Sequence, residues 1–294
     1  MTNLTPLQVS ELVIVESLEH DEVKTGAELA AYVSSLECAQ DRGLKVRLIE
    51  CSYASEFVDL IEALAEEASM RQSHPILHVE CHGSADGGLQ FANGSELTWD
   101  RFGEGLRRLN AATGINLIAS VSACHGAHLL SAMPPTLPAP CLMMVGPIRA
   151  MNSAELMAGF RLFYRNLFDS GDASYAAATL LRSTHPEIAW DAVHAEQWFD
   201  QVVAIYIENE CTPKAVKRRT LALFQQGQRE GLRLSMAELK RLLVQTHRQD
   251  LDGKFFDRFF MLDEYPHNAE RFRNARNQLT ARIAELRSKN RHAL

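Results

Sequence analysis

The sequence has no apolar run of the roughly eighteen residues that a membrane-spanning helix needs, so no transmembrane helix is expected. Its first residues, Met1-Thr-Asn-Leu-Thr-Pro6, lack the basic stretch and apolar core of a secretory leader. A cytoplasmic location is therefore expected. Cysteine is scarce: there are six, scattered without the spacing of a disulfide framework. That excludes a disulfide-built scaffold and leaves reduced thiols as the expectation. No segment repeats at a solenoid period, and no nucleic-acid-binding signature is present. What is there is ordinary for a globular chain, with 46% apolar and 23% charged residues among 294. The length allows one large domain, or a medium one with a smaller companion.

Charge is shared unevenly. Residues 1–211 hold 12 basic and 28 acidic side chains, a balance of −16. Residues 212–294 hold 18 and 9, a balance of +9. The shift coincides with Cys211-Thr-Pro213, where proline interrupts the chain, and it predicts a domain of residues 1–211 followed by one of 212–294. Beyond Pro213 the pattern is wholly helical, with a capping box at Ser235–Glu238 and a last amphipathic helix starting at Asn268.

In the first domain, short β-branched runs alternate with helical patterns. Strands are predicted at Leu12–Val15, Lys45–Cys51, the segment ending at His82, Ile115–Val121, Cys141–Gly146 and Gln201–Ile207. Helices are predicted after a capping box at Thr25–Glu28, over Ser55–Ser69, from Thr98, and over 152–168 and 172–182. Asn93-Gly94 within Gly88–Leu97 is a hairpin signal. Strands alternating with helices predict a mostly parallel six-stranded sheet covered on both sides.

Two segments carry chemistry. Ile76-Leu-His-Val-Glu-Cys-His82-Gly83 and Ile115-Asn-Leu-Ile-Ala-Ser-Val-Ser-Ala-Cys124-His125-Gly126 both have strand character and both end in a reactive side chain close to glycine. Neighbouring parallel strands would bring His82 and Cys124 to the carboxyl edge of the sheet, where ligands gather in open α/β folds. An imidazole beside a thiol takes its proton and makes a nucleophile. The glycine after the histidine permits close backbone approach, and the N–H groups of Gly83 and Cys124 are candidate oxyanion donors. Cys81, His82, Cys124 and His125 have the ligand types of a zinc site, but adjacent strand residues face opposite ways and the spacing is wrong for a zinc knuckle. No metal and no cofactor are expected.

This arrangement resembles the caspase-like cysteine peptidases, the group of caspases, metacaspases, separase and the bacterial CHAT-domain proteases. The caspase pattern is Q-A-C-[RQG]-G with a histidine about 50 residues upstream; here Ser122-Ala123-Cys124-His125-Gly126 follows His82-Gly83. The Gly88–Leu97 hairpin with Thr98-Trp-Asp, then Met144-Val-Gly-Pro-Ile and Ala154–Phe168, resemble the CHAT segments that flank the nucleophile. The likeness covers about residues 8–210. It implies a three-layer caspase-like sandwich with a small all-helical C-terminal domain after it. It also implies a cysteine endopeptidase in which Cys124 is the nucleophile and His82 the general base and acid. Ser122 stands where caspases carry glutamine and metacaspases aspartate. Asn152 falls near the place where CHAT domains tend to carry an acid, and Asp21 lies in the acidic loop Glu19–Glu22 that matches the family's first pocket-lining loop. These three are the expected pocket residues, and the acidic loop favours a basic residue before the scissile bond.

Bacterial relatives often serve antiphage defence, which implies a protease switched on by a second signal. A protein substrate is the expected partner. The basic C-terminal domain is the candidate receptor for an anionic nucleotide-type activator or a protein sensor. The alternative is a catalytically silent adaptor that keeps the fold as an interaction module.

Overall fold

The structure, a computed structural model, describes residues 9–123, 136–183, 190–231 and 233–289. In chain order the first part forms β1 (Glu11–Glu16), α1 (Thr25–Ser35), α2 (Glu37–Asp41), β2 (Lys45–Glu50), α3 (Ala54–Arg71) and β3 (Pro75–Glu80). The meander β4 (His82–Ser84), β5 (Gly88–Gln90) and β6 (Glu96–Leu97) follows, then α4 (Trp99–Ala112) and β7 (Ile118–Ser122). Next come β8 (Met143–Pro147), α5 (Ser153–Ser170), α6 (Ala173–Ser183) and β9 (Trp190–His194).

The main sheet has the order β2-β1-β3-β7-β8-β9. Its first five strands run parallel, and β9 pairs antiparallel with β8. β1 and β3 are buried along their whole lengths. Central strands covered on both faces need near-continuous apolar sequence, which Leu12-Val-Ile-Val15 supplies. β2 has only exposed and half-buried positions, as suits an edge strand. One face carries Leu12, Ile14, Ile76, Ile118, Met143 and Val145, packed with Leu29 and Val33 of α1 and Phe160, Phe163 and Tyr164 of α5. Arg47 of β2, on the other face, pairs with Glu67 of α3 at 3.2 Å. The result is the three-layer α/β sandwich that the sequence pattern implies, with a helical region after it.

Two expectations are corrected. Gln201–Ile207 is not the sixth strand: it lies within α7 (Ala195–Glu210). Trp198, Phe199, Val202, Val203 and Ile207 are all buried, a spacing of three to four that suits a helix. The β-branched run imitates a strand only when its neighbours are ignored. The sixth strand is β9, short and partly polar, with only Trp190 and Val193 buried. The helix expected from Asn268 also divides, into α11 (Asn268–Arg271) and α12 (Arg273–Lys289) with a break at Phe272. Residues 9–123, 139–183 and 190–195 form one compact unit, and 136–138, 196–231 and 233–289 form another.

The second unit holds α7, α8 (Pro213–Arg229), α9 (Met236–Gln249), a π-turn at Asp250–Lys254, α10 (Phe255–Phe259), α11 (Asn268–Arg271) and α12 (Arg273–Lys289). Its core is aromatic. Phe199 meets Phe256, Phe259 and Phe260 at 5.8, 5.1 and 5.3 Å between ring centroids, and Phe260 stacks on Phe272 at 4.3 Å. Phe199 is why α7 joins the helical unit. Thr212 caps α8 by accepting from the Ala215 N–H, and Ser235 with Glu238 forms the expected capping box on α9.

Two outcomes follow for stability. Gly159 of α5 lies flat against the Trp190 indole, and a methyl group there would overlap the ring. Gly159→Ala should destabilise the first unit by about 1–3 kcal/mol, read as a lower urea midpoint at unchanged slope. In the second unit, burial and then the neighbouring Arg219 guanidinium lower the pKa of His247 from its ordinary 6.5. Its Nε2 lies 3.3 Å from Arg219 Nη1. A histidine held uncharged in the fold stabilises it above the unfolded pKa and loses that contribution as pH falls. The melting temperature should therefore drop between about pH 7.5 and 5.5, across the ordinary imidazole range, and His247→Gln should shrink that drop.

Candidate active site

The carboxyl edge of the sheet is built on one row. Glu16 of β1, Glu80 of β3 and Ser122 of β7 are register partners, and all three are buried. Buried carboxylates demand donors. The Oε1 of Glu16 accepts from the N–H groups of Gly26 and Ala27 at 2.8 and 3.2 Å, in the first turn of α1. A carboxylate is favoured at that end of a helix, where N–H groups lack intrahelical partners. Gly26 is required there, because a side chain would strike Glu16.

Glu80 has two side-chain donors. Its Oε1 lies 2.8 Å from His78 Nε2, and its Oε2 accepts from Thr25 Oγ1 at 2.9 Å. His78 Nδ1 lies 3.0 Å from the Tyr164 hydroxyl of α5. A carboxylate only accepts, so the His78 proton sits on Nε2 and Nδ1 receives the tyrosine O–H. Burial pushes the Tyr164 hydroxyl pKa up, which keeps that donor protonated. The capping box expected at Thr25 is thereby corrected. Thr25 begins α1 without capping it, its hydroxyl is spent on Glu80, and Glu28 reaches Arg161 at 3.6 Å.

The loop between β1 and α1 is tied down along its length. Ser17 N–H donates to the Glu80 carbonyl at 2.7 Å. Lys24 Nζ donates to the carbonyls of Leu18 and Glu19 at 2.7 and 2.9 Å. Glu19 N–H donates to Glu22 Oε2 at 2.7 Å. The other oxygen of that carboxylate, Oε1, lies 2.8 Å from His82 Nε2.

His82 opens β4, opposite Gln90, and Gly83 stands opposite Leu89. The meander carrying them is clamped at both of its turns. At the β4–β5 turn the Trp99 indole N–H donates to the carbonyls of Ser84 and Ala85, at 3.0 and 3.2 Å. At the β5–β6 turn Ala92 N–H donates to Ser17 Oγ, Asn93 N–H to the Ser52 carbonyl, and Ser95 Oγ accepts from Ala54 N–H. The His82 side chain is 49% exposed and that of Glu22 is 31% exposed. Cys81, its neighbour, is buried, and desolvation and then Glu80 push its thiol pKa up. Cys81 is therefore an inert core thiol beside a reactive-type histidine.

The other expected site residues are distributed as follows. Cys124, with His125 and Gly126, lies outside the described residues. Ser122 ends β7, and its Oγ is buried with no hydrogen-bond partner among the described residues. Asp21 is exposed and lines an open hollow with Glu19, Lys24, Glu50 and Asn93. Asn152 is the N-cap of α5, with Oδ1 accepting from the Glu155 N–H at 2.9 Å. Among the described residues no group of three His, Cys, Asp or Glu side chains is arranged to hold a metal ion. None of their helices is long and apolar enough to cross a membrane. Sequence reasoning missed Glu22, Thr25, His78, Glu80 and Tyr164. His78-Val-Glu80 did carry a signal, since two polar residues at period two on a core strand must meet partners inside.

The two hydroxyls at this edge should behave differently on removal. Thr25→Val withdraws a donor from a buried carboxylate and should cost about 1–3 kcal/mol. Ser122→Ala removes a hydroxyl with no partner among the described residues and should leave the melting temperature nearly unchanged. Paired thermal melts of the two variants check both.

No family model matches this chain, and no curated protein matches it in sequence. Among solved structures it is similar to the Drosophila initiator caspase Dronc, with TM-score 0.46 and 9% identity, over 66% of this chain and 82% of that one. It is also similar to a Clostridium acetobutylicum chain named for a cystathionine beta-lyase involved in aluminium resistance. There the TM-score is 0.30 and the identity 12%, over 72% of this chain and 48% of that one.

Proposed function

We propose that this protein is a caspase-like cysteine endopeptidase that works through Cys124 and His82. The observation that carries the reading is the parallel pairing of β3 with β7, with Glu80 opposite Ser122. His82 and Cys124 are each two residues further along the sequence from that pair. A histidine held exposed at the carboxyl edge, next to a strand leading towards a cysteine, is the arrangement that nucleophilic catalysis needs.

In this reading Cys124 transfers its thiol proton to His82, and the sulfur attacks the scissile carbonyl. The N–H groups of Gly83 and Cys124 hold the resulting oxyanion. His82 returns the proton to the leaving amine, which departs and leaves a thioester. Water then attacks the thioester, again with His82 taking a proton, and releases the acid product and the free thiol.

The pocket for the residue before the scissile bond is assigned to Ser122, with Asp21 and Asn152 as outer members. The acidic loop Glu19–Glu22 that carries Asp21 favours a basic residue there. The helical segment of residues 212–294 is assigned a regulatory role, as the receptor for an anionic nucleotide-type ligand or a protein sensor. Its support is the +9 balance of residues 212–294. Such a switch suits a cytoplasmic bacterial defence effector.

Peptide-library profiling of the full chain checks the reading, with and without nucleotide-type ligands. Cys124→Ala should reduce cleavage to background at an unchanged circular-dichroism spectrum. His82→Ala should lower the rate by at least the roughly 10²–10⁴-fold that a general base supplies. Cleavage that persists in Cys124→Ala would overturn the assignment.

A further inference from the structure

We infer that Glu22 is a positioning residue for His82: its carboxylate fixes the imidazole in the Nε2–H tautomer and leaves the Nδ1 lone pair to accept the thiol proton. The inference rests on the proposed Cys124–His82 reaction for its functional consequence, while its geometric part stands independently.

Three observations carry it. The first is the contact itself, 2.8 Å between Glu22 Oε1 and His82 Nε2. An ionised carboxylate accepts and never donates, so the hydrogen lies on Nε2. A neutral imidazole then has its lone pair on Nδ1, and the choice of tautomer decides which nitrogen can act as the base.

The second is that Glu22 is itself held. Its Oε2 accepts from the Glu19 N–H at 2.7 Å, and its own N–H donates back to the Glu19 carbonyl at 3.2 Å. The carboxylate therefore bridges its loop and the histidine with one oxygen each. An exposed ion pair normally loses much of its value to side-chain entropy. Here one end of the pair is already ordered by the loop, which lowers that cost.

The third is the anchorage beneath. Thr25, three residues after Glu22, is bonded to the buried Glu80 at 2.9 Å, and Glu80 belongs to the strand that leads into His82. The Glu80 carbonyl also receives the Ser17 N–H at the start of the same loop. Both ends of the loop are thus fastened to β3, so Glu22 and His82 are referred to one rigid element. A base must be held within hydrogen-bond reach of the proton it takes, and such double fastening supplies that precision.

The test uses the ¹⁵N-labelled full chain and the variants Glu22→Ala and Glu22→Gln. Glutamine keeps an acceptor oxygen at the same reach, whereas alanine removes it. At about pH 8, above the ordinary imidazole range, long-range ¹H–¹⁵N spectra should show His82 protonated on Nε2, with a slowly exchanging ring proton. That proton should be lost in Glu22→Ala and kept in Glu22→Gln, with His82→Gln identifying the signal. On a cleavable peptide, Glu22→Ala should lower kcat about 10-fold or more with KM little changed, a part of the roughly 10²–10⁴-fold that a general base contributes. Glu22→Gln should recover part of that loss.

A ring proton on Nδ1, or one that persists unchanged in Glu22→Ala, would overturn the geometric assignment. Unchanged kcat in Glu22→Ala, in a chain that Cys124→Ala silences, would overturn the functional role alone. Cleavage surviving Cys124→Ala would remove the proposed reaction instead, and the ring-proton spectrum would still decide the geometry.

Discussion

The carboxylate of Glu80 is the constraint on which the site side of this structure depends. A charge placed between a sheet and a helical layer is costly unless donors surround it. Here the donors come from different elements: His78 from its own strand, with Tyr164 of α5 behind it, and Thr25 from α1. Meeting the charge therefore fixes the relation of β3, α1 and α5. Everything at the carboxyl edge inherits that geometry, including the loop that carries Glu22.

Two histidine–glutamate pairs have their histidines on one short stretch of chain, and they show how surroundings set a role. His78–Glu80 and His82–Glu22 have the same 2.8 Å separation. The first is wholly enclosed, with an aromatic wall of Phe160 meeting the ring edge-on at 4.5 Å. Both of its ring nitrogens are engaged, so it can only hold. The second stands half in solvent, bonded through Nε2. Burial makes one pair architecture, and exposure leaves the other open to chemistry.

Much of this was legible from residue order. Leu12–Val15 read as a doubly buried strand because continuous apolar sequence is what such a strand requires. Asn93-Gly94 announced the hairpin, and Thr98 the start of α4, through local backbone chemistry that tertiary contacts did not override. His82 was visible as a histidine before glycine after a core strand, although that strand stops at Glu80 and His82 opens β4. Less legible was which acid of the loop would meet it. Asp21 and Glu22 are alike in composition, and only the fold of the loop turns Glu22 inward. Thr25 was misread because its hydroxyl has two potential uses, a helix N–H and a buried carboxylate, and the second lies 55 residues away. β9 was missed because a short edge strand needs few apolar residues. α7 was misread because β-branching outweighed its helical spacing.

The meander that bears His82 is clamped at the Trp99 indole and again at Ala92, Asn93 and Ser95. Fastened at both turns, it is a strut and not a flap. The wall that carries His82 is accordingly a fixed template, its shape set by α4 and by the loops that hold its two turns.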